Sequence, residues 1–178
     1  MIGVDEVGRG AWAGPLLVCA TRLNEVIDGL KDSKLLSRNQ RQELTNLILQ
    51  KAQVGYGWVS AKEIDDIGLA AALRLATTKA LEDIDYQLDE ELVIDGAVNF
   101  VPDLPAKCIP KADNLVPACS AASIVAKVTR DKHMIELALK YPKYGFEKHV
   151  GYGTKAHVQA LKKHGYCVEH RCSYNIKL

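Results

Sequence analysis

Met1-Ile2-Gly3-Val4-Asp5-Glu6-Val7-Gly8-Arg9-Gly10 opens the chain. Ile2 to Asp5 is a short apolar run ending in an acidic pair, which reads as a strand with carboxylates at its carboxyl end. Neighbouring strand residues point to opposite faces, so Asp5 and Glu6 can serve one site only if Glu6 lies at the strand end, where the backbone is turning. Gly8 and Gly10 supply the turn: without a Cβ they can take positive φ and let a ligand approach the backbone closely. Arg9 then projects between them as a planar fork suited to phosphate. Asp5 and Glu6 offer the oxygen ligands preferred by a hard divalent cation such as Mg2+ or Mn2+. Taken alone, the same residues could be a polar hairpin turn after an edge strand.

Outward from this stretch, strands and helices alternate. Leu16 to Thr21 and Val54 to Ser60 are apolar, bounded by Gly, Pro or polar residues, and read as strands. The first strand and Leu16–Thr21 are close enough in sequence to pair antiparallel. Ser37 with Gln40 forms a capping-box pattern, and Leu44, Leu47 and Ile48 follow at helical spacing, predicting a helix to about Ala52. Ser60 with Glu63 repeats the signature. Behind it Leu69, Leu73, Ala76 and Ala80 form the apolar stripe of one long helix ending near Asp83.

Two further β-type runs follow. Leu92-Val93-Ile94 ends at Asp95-Gly96, and Cys108-Ile109-Pro110 ends near Lys111-Ala112-Asp113. Helix, strand, connection, strand predicts parallel neighbours, and in open α/β sheets ligands collect outside the carboxyl ends of strands. Asp5, Asp95 and Asp113 all fall at such ends. An ionised carboxylate there is costly unless paired or bound to metal, and clustering several raises the cost through mutual repulsion. A turn at Asp95-Gly96 and a helix cap at Asp113 would each explain one residue; together they explain the clustering poorly. Ser120 to Asp131 reads as a helix whose small residues allow close approach to the sheet, with Ser123, Lys127, Arg130 and Asp131 on one face.

Composition bounds the rest. The 178 residues, 48% of them hydrophobic, suit a single domain over 1–178. No apolar run is long enough to cross a membrane and no basic-then-apolar leader is visible, so a cytoplasmic location is the default. The five cysteines include no CxxC, which points to neither a disulfide framework nor a zinc site. The net charge of +1 hides an asymmetry. From Lys140 to Leu178 there are eight Lys/Arg against two Glu, +6, whereas the first 139 residues carry 15 basic and 20 acidic residues, −5. That basic segment also holds Tyr141, Tyr144, Tyr152, Tyr166 and Tyr174, so cations and stacking rings are interleaved as nucleic-acid binding requires.

Together these blocks carry a resemblance. Asp5-Glu6-x-Gly8-Arg9-Gly10, Asp32-Ser33-Lys34, Asp95-Gly96, Lys111-x-Asp113, the run from Ser120 to Asp131, Gly151-Tyr152-Gly153-Thr154 and His170-Arg171-x-Ser173 resemble ribonuclease HII, in that family's order and over nearly the whole chain. The resemblance implies an α/β ribonuclease H-like fold: a five-stranded mixed sheet, three strands antiparallel and two parallel, flanked by helices, with a helical C-terminal part. It implies an endoribonuclease that hydrolyses the RNA strand of RNA/DNA hybrids and cuts 5′ of ribonucleotides embedded in duplex DNA, leaving 3′-hydroxyl and 5′-phosphate ends. It further implies a two-metal site, Mg2+ or Mn2+, on Asp5, Glu6, Asp95 and Asp113. Gly8, Arg9 and Gly10 would meet the ribose 2′-hydroxyl and the adjacent phosphate, Ser33 and Lys34 the backbone phosphates. Tyr152 would stack on the deoxyribose that follows the ribonucleotide. His170-Arg171 would support substrate phosphates or anchor the tail. Trp12, between Gly10 and Gly14, and Cys119 depart from the family's usual smaller or aliphatic residues. A different reading is a catalytically inactive nucleic-acid-binding module using the basic C-terminal segment. No oligomer signal is visible, so monomer is the default.

Overall fold

A computed structural model describes residues 1–30 and 33–176; Asp32 of the Asp-Ser-Lys segment lies outside the described residues. Five strands, β1 (Ile2–Val7), β2 (Leu16–Leu23), β3 (Ala52–Val59), β4 (Leu92–Asp95) and β5 (Ala106–Ile109), form one sheet in the order β3-β2-β1-β4-β5. β1 and β2 pair antiparallel, as do β2 and β3, while β1/β4 and β4/β5 are parallel. This is the mixed sheet expected. Its switch from antiparallel to parallel falls at β1, so the carboxyl ends of β1, β4 and β5 share one edge, where Asp5 and Asp95 lie.

Helices cover both faces. On one, α2 (Ala61–Ile67) and α3 (Leu69–Asp83) pack over Ile2, Val4, Leu16, Val18, Leu92 and Ile94. On the other, α1 (Arg38–Lys51) and α4 (Pro117–Lys140) cover Leu17 and Cys19. The capping boxes at Ser37/Gln40 and Ser60/Glu63 both form. α4 opens with Pro at its first position, where the missing N–H costs nothing. It runs directly across β1, and Gly3 makes that possible: a Cβ there would lie 2.3 Å from the backbone of Ala118 and Cys119.

Two expectations change. The single long helix from Ser60 to Asp83 is divided at Gly68, which takes φ +79° and ends α2 before α3 begins. The strand from Ile2 continues two residues past Asp5, because Glu6 and Val7 still pair with Val18 and Leu17 of β2. Glu6 therefore lies within β1, and the turn starts at Gly8.

The C-terminal part is helical, with α5 (Phe146–His149) and α6 (Lys155–His164) packed with the end of α4 around Phe146, Met134 and Leu161. Ala13 and His170 form an isolated antiparallel bridge that ties the tail to the segment between β1 and β2. No described helix is long and apolar enough to cross a membrane.

Candidate active site

A cleft of about 420 Å³ opens at the carboxyl ends of β1 and β4, lined by Asp5, Glu6, Asp95 and the Gly8-Arg9-Gly10 loop, and by Ser33, Lys34 and Tyr152. Alternation along β1 sends Asp5 toward α4 and Glu6 toward the other face, yet both reach this space because the sheet edge is open there.

Asp5 is only 9% exposed. Burial is the main cause that pushes its carboxyl up to about 8, helped by the charges of Glu6 and Asp95 and opposed by a hydrogen bond from Ser123. Its Oδ1 also accepts the Glu6 N–H at 2.8 Å. Glu6 is raised for the same first reason, against which the Arg9 guanidinium, 3.5 Å away, pulls it down. Asp95 Oδ1 accepts the Ala112 N–H at 2.7 Å, which fixes its orientation from the turn that follows β5.

Asp113 sits apart. It lies in the 3-10 turn Ala112–Asn114, is 3% exposed and does not line the cleft. Its Oδ1 accepts the Asn114 side-chain amide at 3.0 Å, and Nζ of the largely exposed Lys34 stands 3.7 Å from its Oδ2. The charges of Asp5, Asp95 and Asp113 all act on the Cys119 thiol, which burial above all pushes up to about 12. Among the described residues, no three acidic, histidine or cysteine side chains converge closely enough to cage an ion by themselves.

Of the two loop glycines, Gly8 alone adopts positive φ, +87°, and a Cβ there would lie 2.3 Å from Arg130 Nε. Gly10 faces open space, so its lack of a side chain leaves room above the loop instead of relieving strain. The carbonyl of Arg9 accepts Arg171 Nη1 at 3.0 Å and the Tyr174 hydroxyl at 2.7 Å, leaving the Arg9 side chain to the cleft. Arg171 is fully buried and also donates twice to the Gly14 carbonyl. Of the two roles open to it in the sequence, it anchors the tail. Arg130 is buried as well, bonding the carbonyls of Ala13, Pro15 and Val150, with its guanidinium 5.7 Å from the Tyr152 ring centroid. Neither arginine has a carboxylate partner in these contacts; carbonyl dipoles carry their charge, and desolvation lowers both pKa values.

Three polar lining residues were not among the predicted site residues, Arg41, Ser123 and Lys127, nor was the apolar Val7. Ser123 Oγ lies 3.1 Å from Ser33 Oγ and joins the Ser33 turn to Asp5. Lys127 is held by Asp131 at 2.9 Å. The signal for these two was their shared helical face. Arg41 donates to the carbonyls of Ser33 and Leu36 in the segment that leads into α1, a contact that neither the capping box nor the apolar period announces. Trp12 packs where Gly153 has no side chain, a Cβ there being 2.1 Å from its ring.

The family model described as ribonuclease HII matches residues 2–177. A ribonuclease HII from Sulfurovum sp. (strain NBC37-1) is 46% identical over 178 residues, covering 99% of this chain and 92% of the relative. The ribonuclease HII of Archaeoglobus fulgidus, solved in complex with PCNA, shares the fold at a TM-score of 0.83 and 24% identity, over 99% of this chain and 96% of that one. Bst-RNase HIII in complex with Mn2+ shares it at a TM-score of 0.72 and 18% identity, over 98% of this chain and 66% of that one. With its sheet order, its acidic cleft and the match along nearly its whole length in agreement, the chain belongs to the ribonuclease HII family.

Proposed function

We propose that this cleft is the active site of a divalent-metal-dependent endoribonuclease that hydrolyses the RNA strand of RNA/DNA hybrids and cuts 5′ of a ribonucleotide embedded in duplex DNA, leaving 3′-hydroxyl and 5′-phosphate ends. The observation that carries the reading is the meeting of Asp5, Glu6 and Asp95 with the Gly8-Arg9-Gly10 loop and Tyr152 in one open cleft.

The donor set fits Mg2+ or Mn2+: it is all oxygen, and the burial that raises Asp5 and Glu6, together with their smaller repulsion, is what a bound cation would offset. Bound as a pair, such ions lower the pKa of the attacking water and stabilise the leaving 3′ oxygen. Asp5, Glu6 and Asp95 would hold them, with Asp113 as the fourth carboxylate. Arg9 contacts the phosphate beside the 2′-hydroxyl, and the backbone of Gly8 and Gly10 reads that hydroxyl. Ser33 and Lys34 hold the backbone near the cut. Tyr152 lies against the following deoxyribose, where a second 2′-hydroxyl would disturb the fit, so the RNA-to-DNA junction is read by shape.

The test is cleavage of a labelled duplex with one internal ribonucleotide, with Mg2+, Mn2+ or chelator, beside an all-DNA duplex and an RNA/DNA hybrid. One metal-dependent cut 5′ of the ribonucleotide is expected. Binding without any cut would overturn the catalytic reading.

A further inference from the structure

Three histidines stand outside the cleft and outside the roles above. His157 on α6 and His170 in the tail are 0% and 2% exposed, and His149 at the end of α5 is buried beside them. Their hydrogen bonds form a directed chain. The Cys167 N–H, which can only donate, points at His170 Nδ1 from 2.9 Å. His170 must then carry its proton on Nε2, which lies 3.1 Å from His157 Nε2. His157 accepts there, so its own proton is on Nδ1, 3.0 Å from the carbonyl of Tyr152, which can only accept. His170 Nδ1 also stands 3.3 Å from the Cys167 carbonyl, but the Cys167 N–H is nearer, and the Tyr152 carbonyl requires the proton of a neutral His157 on Nδ1, so that His157 Nε2 accepts from His170 Nε2–H. Burial agrees, holding His157 down to about 4 and His170 below its ordinary value. His149 stacks on His157 at 4.4 Å between centroids, and Trp12 and Phe146 close two further sides of the ring.

The chain ends on a strained segment. Val150 has φ +44° and Gly151 φ +86°, so two successive left-handed residues precede Tyr152. Such a conformation is unfavourable for a β-branched residue and persists only where neighbours over-determine it. Here Arg130 Nη1 donates to the Val150 carbonyl at 2.9 Å, the Trp12 and Ala13 N–H groups to that of Gly151, and the Tyr152 N–H to that of His149 at 2.9 Å. The imidazole of His157 is the side chain that grips Tyr152 itself from the tail side.

We propose that His157, with its tautomer set by His170, is a positioning residue that fixes the backbone of Tyr152, and with it where the ring is placed in the cleft, and thereby sets the preference for embedded ribonucleotides over long hybrids. The proposal rests on the junction-reading role of Tyr152 given above. His157 touches no substrate; it acts through the backbone of Tyr152.

The test uses two variants. His157→Phe keeps an aromatic ring and loses both hydrogen bonds; His157→Asn keeps an N–H where Nδ1 was and loses the link to His170 and the ring that His149, Trp12 and Phe146 pack against. Two quantities are read in each: the ratio of kcat/KM for an embedded ribonucleotide to that for a long hybrid, and the fluorine resonance of 3-fluorotyrosine placed at position 152. His157→Phe should lower the ratio about tenfold, broaden or split the resonance, and change the ratio no further when combined with Tyr152→Ala. His157→Asn should restore most of both. An unchanged resonance and ratio in folded His157→Phe would overturn the proposal, as would equal loss on both substrates without rescue. If Tyr152→Ala alone leaves the ratio unchanged, the junction reading fails, and the resonance alone then decides whether His157 orients Tyr152. Should His157→Phe not fold, His157→Leu, a smaller side chain that also loses both hydrogen bonds, is read in the same two ways, with loss of ratio and line shape expected and their retention overturning the proposal.

Discussion

Replacing Asp5 by Asn should stabilise the metal-free protein at neutral pH while removing its cleavage. Burial pushes the Asp5 carboxyl from 3.8 up to about 8. Between those values the folded protein holds a proton that the unfolded chain has released, so stability falls as pH rises through this window and levels off outside it. At ~1.36 kcal/mol per pH unit, the penalty grows to about 4 kcal/mol by pH 7. Asn removes the titration and keeps an oxygen to accept the Glu6 N–H. Urea unfolding of both proteins in chelator, from about pH 5 to about pH 8, should show the variant gaining on the wild type steadily with pH. His157 and His170, whose lowered values tilt stability the opposite way on the acid side, cancel in that difference. Adding Mg2+ should flatten the wild-type slope, because the cation takes the place of the proton. Parallel pH profiles for the two proteins in chelator would refute the reasoning that Asp5 is held desolvated against its own charge.

Asp95→Asn should abolish cleavage and leave hybrid binding intact in a gel-shift assay; undiminished cutting would remove Asp95 from the site. Tyr152→Ala should reduce cutting at one embedded ribonucleotide more than cutting of a long hybrid, and equal losses would contradict the junction role. Lys34→Ala should weaken binding to all sequences alike and reduce the slope of log affinity against log salt by about 1, which titrations at several salt concentrations measure. Gly3→Val would drive a side chain into the backbone of Ala118 and Cys119 and should cost about 3 kcal/mol, read as a loss of melting temperature with activity retained in whatever protein folds.

The placement of carboxylates was legible in the chain because it depends on short-range geometry. A β-branched run that ends in Asp reads as a strand delivering a charge to the sheet edge, and Asp5 and Asp95 lie where that reading puts them. The capping boxes at Ser37 and Ser60 were legible for the same reason. The division at Gly68 was not: an apolar stripe runs past it, and glycine within a helical pattern is often tolerated. The separate α2 has a tertiary use, since Asp65 on it accepts the N–H groups of Cys172 and Ser173 and secures the tail.

Arg130 shows the limit most plainly. Periodicity puts it on the polar face of α4 with Ser123 and Lys127, yet it is fully buried, because the carbonyls of Ala13, Pro15 and Val150 arrive from elsewhere in the chain to receive it. The extension of β1 through Glu6, the burial of Asp113 beside Lys34 and the chain from Cys167 through His170 and His157 to Tyr152 are of the same kind. By itself, then, the sequence determined which side chains carry oxygen donors, cations and rings, and at which strand ends the acids fall, since those follow from residue chemistry and from periods of a few residues. Tertiary structure alone decided which of them share the cleft and which hold it in shape, because the desolvation of a charge and the partner of a buried donor depend on segments far apart in the chain.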